Sequence, residues 1–159
     1  MARPRHADSS ENFAQHLTWT TLQRVPTFKD PKVAEMCLIA MDKERERLGV
    51  EVFGFVLMPD HMHLVVGPST DAPGKIVQGM KMCSNWWLQA FGLVEKSPWA
   101  RGYWDRAIRS TEELRTALRY VHGNPVKAGL ADSLGDYSFS SYGHYYEGVP
   151  PLIRVSRFT

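Results

Sequence analysis

The sequence predicts one α+β domain, a ferredoxin-like antiparallel sheet flanked by helices, and three observations lead there. Hydrophobic periods near 2 and 3.6 succeed one another in the order strand, helix, strand, strand, helix, strand, helix, an order that builds an antiparallel sheet with helices on one or both faces. The length, 159 residues with 43% apolar and 23% charged side chains, suits one sizeable core rather than two. No run approaches the roughly 18 consecutive apolar residues of a membrane span. Cys37 and Cys83 are the only cysteines and neither belongs to a CxxC pair, which excludes a disulfide framework or a cysteine-rich zinc site.

The first dozen residues are polar and lack an apolar core, so they read as a flexible tail, 1–12, rather than a secretory leader. A cytoplasmic setting is the expectation. From His16 to Leu22 the chain alternates and is rich in β-formers, a first strand. Pro31 opens a helix whose Val33, Met36, Cys37, Ala40 and Met41 recur at helical spacing, and Gly49 closes it. Val50–Leu57 is apolar on both faces, Met58-Pro59-Asp60 is a turn, and His61–Val66 completes a hairpin before Gly67-Pro68. The loop GPSTDAPGK lacks the glycine spacing of a phosphate-binding loop. Ile76 to Phe91 carries a second helical stripe. Trp99–Ile108 is a fourth strand or an ordered loop; periodicity does not decide. Ser110-Thr111-Glu112-Glu113 is a capping box opening a third helix, which Gly123, Asn124 and Pro125 break or close. The domain is placed at 13–146, with 147–159 as a C-terminal tail.

Charge is concentrated. Residues 96–130 hold seven cations (Lys96, Arg101, Arg106, Arg109, Arg115, Arg119 and Lys127) against three acids, within a net charge of +2 for the chain. Trp99, Tyr103 and Trp104 lie among them. Cations interleaved with aromatics suit a nucleic-acid strand, and a solvated helix face beside core tryptophans is the plainer alternative.

Two histidines stand two apart in Asp60-His61-Met62-His63. On a strand such residues project from one face, close enough for both imidazoles to meet one metal ion, with Met62 and Leu64 in the core behind. A pair of half-buried structural histidines is the competing explanation. Tyr120 lies on the flank of the third helix's apolar stripe, roughly 40° around the wheel from Asn124, whereas His122 lies roughly 160° from Tyr120. A phenol, ionising ordinarily near ~10, is a weak nucleophile until a cation offsets charge on the phosphorus it attacks. Two strand histidines, a tyrosine with an amide beside it and local basic charge together fit metal-assisted transesterification of a phosphodiester.

MPDHMHLVV, followed roughly sixty residues later by YVHGNPVKAGL, resembles the REP-associated tyrosine transposases of the HUH single-tyrosine superfamily. GYWDRAIRSTEELRTALRY resembles the Trp-x-x-Arg stretch that leads into the family's tyrosine helix. The resemblance spans about residues 13 to 146. It implies a ferredoxin-like fold, with His61 and His63 as metal ligands and Asn124 as a polar third ligand. It also implies Tyr120 as the nucleophile that forms a 5′-phosphotyrosine and frees a 3′-hydroxyl. Mg²⁺ or Mn²⁺ is the implied ion. The implied partner is single-stranded DNA with palindromic hairpins, bound by a monomer or homodimer in a bacterial cytoplasm, at the nucleoid when on DNA. Arg101, Arg106, Arg109, Arg115, Arg119 and Lys127 are the expected DNA contacts. The chain departs from the family at Met82-Cys83-Ser84-Asn85-Trp86-Trp87, where basic residues are common, and at Phe139, where tryptophan is common. Two other functions compete with a strand-transferring nuclease: a hairpin DNA- or RNA-binding module that does not cleave, and a zinc hydrolase, which would need a third His or acidic ligand.

Overall fold

The computed structural model describes residues 13–156, so the tail assigned to 1–12 lies outside the described residues. Strand β1 spans Ala14–Thr20, two residues earlier than the alternation predicts. Thr21 leaves the ladder to bridge Trp99, and the Leu22 amide donates to the Pro98 carbonyl at 2.8 Å. Helix α1 (Pro31–Leu48) starts where proline costs no hydrogen bond, with the Asp30 carboxylate accepting from the Lys32 amide, and stops at Gly49, whose φ of 66° is left-handed. The hairpin follows as β2 (Val52–Met58) and β3 (His61–Val66). Helix α2 (Pro73–Ala90) then leads to β4 (Trp104–Ile108), which settles the undecided stretch as a five-residue strand preceded by an ordered segment. Helix α3 (Thr111–Lys127) and the short α4 (Tyr142–Tyr146) follow.

At the start of α3 the Ser110 hydroxyl accepts from the Glu113 amide, and the Glu113 carboxylate accepts from the Arg109 amide, one residue before the usual capping-box partner. At its end, Gly123-Asn124-Pro125 neither breaks nor closes the helix. Pro125 sits in the last turn, where its missing N–H costs a single bond, and both it and Val121 are buried. The Ala128 amide still reaches the Asn124 carbonyl at 2.9 Å. Asn124 therefore keeps its helical direction.

The sheet order is β2-β3-β1-β4 with every pair antiparallel, the ferredoxin-like arrangement. Helices α1 and α2 pack on each other and cover one face; α3 lies across β2 and β3 on the other. Register sorts the side chains. Leu17 pairs with Leu64 and Trp19 with Met62, all fully buried beneath α1 and α2 with Leu38, Met41, Ile76 and Met80. The opposite face carries His16, Thr18 and His63 from the same two strands. There α3 comes very close to β2. A Cβ placed on Gly54 would lie 2.5 Å from Leu118 Cδ2 and 3.2 Å from Ser141 Oγ, so only glycine fits without something moving.

The outer edge of β2 is not bare. The Leu57 amide donates to Phe139, the Ser141 amide to Phe55, and the Ser156 amide to Val52, at 2.8, 3.0 and 2.8 Å. The segment set apart as a C-terminal tail is held to the domain over its described part, with Ile153 and Val155 buried and the Arg154 amide on the Asp42 carboxylate. Among the described residues no helix is long and apolar enough to cross a membrane.

Candidate active site

His63 is the centre of the α3 face. It pairs with Thr18 across the β1–β3 ladder and with Val56 across the hairpin, and it is 5% exposed. Its Nδ1 lies 2.9 Å from His16 Nε2 and 3.1 Å from Thr18 Oγ1, which fixes the ring and leaves Nε2 facing α3. At Nε2 the Asn124 amide nitrogen stands 3.3 Å away. A half-turn of that amide would present Oδ1 in the same place. Burial first, then the charges of His16, His61 and Arg24, push His63 down to about 3; burial and then Arg106 push His16 down to about 4. Both rings are neutral at physiological pH, the form in which imidazole ligates a metal.

His61 sits at the start of β3, its ring centroid 4.9 Å from that of His63. Its Nδ1 is 2.7 Å from Asp60 Oδ1, so Nδ1 donates to the carboxylate and Nε2 is the nitrogen left for another partner. Asp60 is itself fixed. Arg24 Nε approaches its other oxygen at 3.3 Å, and its carbonyl accepts from the Thr21 amide at 2.9 Å and the Thr21 hydroxyl at 3.2 Å. Gln23 and Arg24 both take positive φ, 54° and 57°, a costly conformation for non-glycine residues, in the turn that brings Arg24 to Asp60.

Tyr120 overhangs this group from α3. It is 52% exposed, and its ring meets His63 edge-on at 5.6 Å and His16 at 6.0 Å. The capped start of α3 and the seating of Leu114, Leu118 and Val121 in the core aim this flank at the sheet. His122 points the other way, 4% exposed, with Nε2 2.7 Å from Ser141 Oγ and its ring among Tyr142, Tyr145 and Tyr146. Burial holds it down at about 4.

The six basic residues do not form one surface. Arg106 lines an open cavity of about 680 Å³ with His16, His63, Trp104 and Tyr120, beside the site. Arg109, Arg115 and Arg119 are exposed at and along the start and middle of α3, and Lys127 is exposed at its end. Arg101 instead lines a groove against α2, in the other helical layer. His16, Thr18, Asp60 and Arg24 escape sequence reasoning as members of the site. The first two look like ordinary strand alternation, and only the register between β1 and β3 brings them to His63. Asp60 reads as a turn former, though an acid directly before His-x-His is a usable sign of a ring-orienting carboxylate.

The fold is a four-stranded antiparallel sheet with two histidines beneath a helical tyrosine, and sequence comparison places the chain in a family. Residues 9–124 match the family described as "Transposase IS200 like", and the chain belongs to that family. Among relatives, the REP-associated tyrosine transposase of Escherichia coli K12 is 27% identical over 108 residues, which is 68% of this chain and 64% of that one. A Haemophilus influenzae relative to which the same name is provisionally attached is 28% identical over 108 residues, 61% of each chain. The match thus spans somewhat under two thirds of the length of either relative. A solved REP-associated tyrosine transposase bound to a REP hairpin superposes with a TM-score of 0.69 over 100% of this chain and 93% of its own, at 21% identity, a likeness of fold.

Proposed function

We propose that this chain is a metal-dependent endonuclease and strand transferase for single-stranded DNA near hairpins, with Tyr120 as the nucleophile. The observation that carries this reading is the meeting of Tyr120, His61, His63 and Asn124 on one face, from two elements sixty residues apart in sequence, around rings whose Nδ1 atoms are already engaged. A domain that only bound DNA would have no use for that grouping. In the proposed reaction the Tyr120 oxygen attacks phosphorus and the bond to the 3′ oxygen breaks. A 5′-phosphotyrosine and a free 3′-hydroxyl result, the phenol proton passing to water and the leaving oxygen taking one from water. Attack by a 3′-hydroxyl on the phosphotyrosine reverses the step and rejoins a strand.

The donor set fits a divalent ion. Two imidazoles present Nε2, and an amide able to turn its oxygen inward stands beside them. No group of three or more His, Cys, Asp or Glu side chains suited to a metal occurs among the described residues. A hard amide oxygen as third donor favours Mg²⁺ or Mn²⁺ and speaks against the zinc hydrolase. When bound, the ion would polarise a phosphate oxygen and offset the charge that develops on it. His16, Thr18 and Asp60 would hold the two ligand rings, while Arg106, at the mouth of the adjoining cavity, would meet backbone phosphates. The hairpin in the solved relative is the ground for proposing hairpin DNA as partner, and a cytoplasmic, nucleoid-associated setting follows from that substrate.

The test is incubation with end-labelled single-stranded DNA carrying a hairpin, with Mn²⁺, followed by a denaturing gel. A protein–DNA adduct that survives denaturation and is missing in Tyr120→Phe supports the reading. Hairpin binding with no adduct and no cleavage under any divalent ion would favour the non-cleaving module.

A further inference from the structure

After β1 the chain reverses direction under strain. Among the described residues, Gln23 and Arg24 are the only non-glycine positions in the left-handed region. Reversal alone would be served by glycine, which enters that region without a steric cost. The turn is nonetheless well held. The Arg24 and Val25 amides reach the Thr21 and Leu22 carbonyls, both at 3.2 Å, and the Thr21 hydroxyl donates to the Val25 carbonyl at 2.8 Å. The Phe28 amide donates to the Pro59 carbonyl at 3.0 Å, which fastens the turn to the residues just before His61. A large side chain kept at position 24 against such strain points to a use for that side chain.

Arg24 stands at one end of the candidate site. His16 pairs with Arg106, Thr18 with His63 and Thr20 with His61, so the polar row along β1 runs from Arg106 past the two histidines to the turn that carries Arg24. Tyr120 meets the His16 and His63 rings, toward the Arg106 end. Arg24 lies at the other end, beyond His61, with Nε 3.3 Å from Asp60 Oδ2. Its side chain is 58% exposed, and because Nε is the atom nearest the carboxylate, the two Nη groups form its outer end. Its charge is felt at His63, where it adds to the effects that keep that ring neutral.

We propose that Arg24 binds a backbone phosphate of the leaving strand, the one that carries the new 3′-hydroxyl. This rests on the reading of Tyr120 as the nucleophile. In-line displacement sets the leaving oxygen opposite the attacking one. With Tyr120 over His16 and His63, the leaving strand runs out past His61 toward Arg24. A guanidinium presents a fork of N–H donors matched to phosphate oxygens, and Nε can stay on Asp60 while the Nη pair meets the phosphate. Arg106, at the Tyr120 end, is then left for the strand that becomes joined to Tyr120, so the two cations divide the two products between them. Arg24 stays protonated throughout, and the bonds made and broken are those already given for Tyr120. Holding the 3′-hydroxyl strand keeps it placed to attack the phosphotyrosine, which favours rejoining over release.

Binding of hairpin-bearing single-stranded DNA by the full chain, measured in EDTA over a range of salt, tests the contact without cleavage. Arg24→Gln should flatten the log–log slope by about 0.7, the share of one phosphate, and Arg24→Lys should restore it. Arg24→Gly, which suits the left-handed turn and so preserves the backbone, should flatten the slope equally. With Mn²⁺ present, the cleaved 3′-hydroxyl strand should exchange with a competing 3′-hydroxyl strand several-fold faster on Arg24→Gln than on the parent. A slope unchanged in both Arg24→Gln and Arg24→Gly, whether or not the Mn²⁺ requirement rises, would confine Arg24 to steadying Asp60 and overturn the proposal. A flattened slope with unchanged exchange would also overturn it, by placing the contact on the other strand. A parent that binds the DNA but forms no Tyr120 adduct removes the nucleophile reading and the leaving strand with it, whereas an adduct that forms while slope and exchange stay unchanged overturns the part given to Arg24 alone.

Discussion

Gly54→Ala is the sharpest probe of how the sheet sets the site. The added methyl would lie 2.5 Å from Leu118 Cδ2, about 1 Å inside the ~3.5–4.0 Å at which carbon atoms rest. Two more atoms constrain it, Ser141 Oγ at 3.2 Å and His122 Nε2 at 3.8 Å. The nearest atom is the far end of the Leu118 side chain, which is 7% exposed, so relief requires a change of Leu118 rotamer or a lift of α3 from β2. Overpacking of this kind costs roughly 1–3 kcal/mol. Replacing a strand glycine returns about 0.5–1 kcal/mol through lower chain entropy. With mid-range values of ~2 and ~0.75 kcal/mol for the two terms, the expected net loss is about 1.25 kcal/mol, a fall in Tm of roughly 2.5–5 °C for a chain of this size. A lift of α3 also moves Asn124 and Tyr120 off His63, in which case cleavage measured well below the melting transition falls further than the unfolded fraction explains. Adding Leu118→Val should recover part of the stability, a favourable coupling between the two positions. Urea melts of the four proteins measure it. A Gly54→Ala protein as stable as the parent, or additive behaviour in the double variant, would refute the contact as the source of the strain.

Other outcomes are expected from the same structure. Tyr120→Phe should lose cleavage and the covalent adduct while keeping hairpin binding, and its melt should lie within about 0.5 kcal/mol of the parent, as for an exposed side chain. Asn124→Ala should raise the Mn²⁺ concentration needed for half-maximal cleavage. His122→Ala should leave that concentration unchanged and lower stability by about 2–4 kcal/mol, from the buried ring and the hydrogen bond it shares with Ser141, as read in denaturant. Asp60→Asn should also raise the Mn²⁺ requirement, because the amide orients the His61 ring less strongly; equal metal titrations would remove Asp60 from the site. Affinity for single-stranded DNA should fall steeply with salt, and Arg106→Gln should flatten the log–log slope by about 0.7 if that side chain neutralises one phosphate.

The order of elements could be read because each long element carries its own period. Pro31 and Gly49 bound α1 where the sequence places them, and the His61–Val66 strand is matched residue for residue. The helical wheel also placed Asn124 toward His63 and His122 away from it, since α3 runs unbroken through Pro125. Short or edge elements escaped. Trp104–Ile108 of its stretch forms the continuous ladder with β1, whereas Trp99 and Ala100 meet the β1 end through an isolated bridge and the residues between lie against α2. The supports of the candidate site were hidden for a different reason. His16 and Thr18 are separated from His63 by more than forty residues, and nothing local in β1 distinguishes a strand residue that holds a ring from one that faces water.

The sealing of β2 by residues 139–141 and 156 bears on how the chain is made. On the ribosome β2 emerges long before the segments that cap it, and until they arrive its backbone amides and carbonyls are a template for any extended neighbour. Synthesis thus passes through an interval in which α1, the hairpin and α2 are all present while that side of the sheet is still open to a stranger's strand. The segments that close it lie more than eighty residues further along the chain, at Phe139, Ser141 and Ser156, which makes aggregation during expression a matter of how quickly they follow the hairpin.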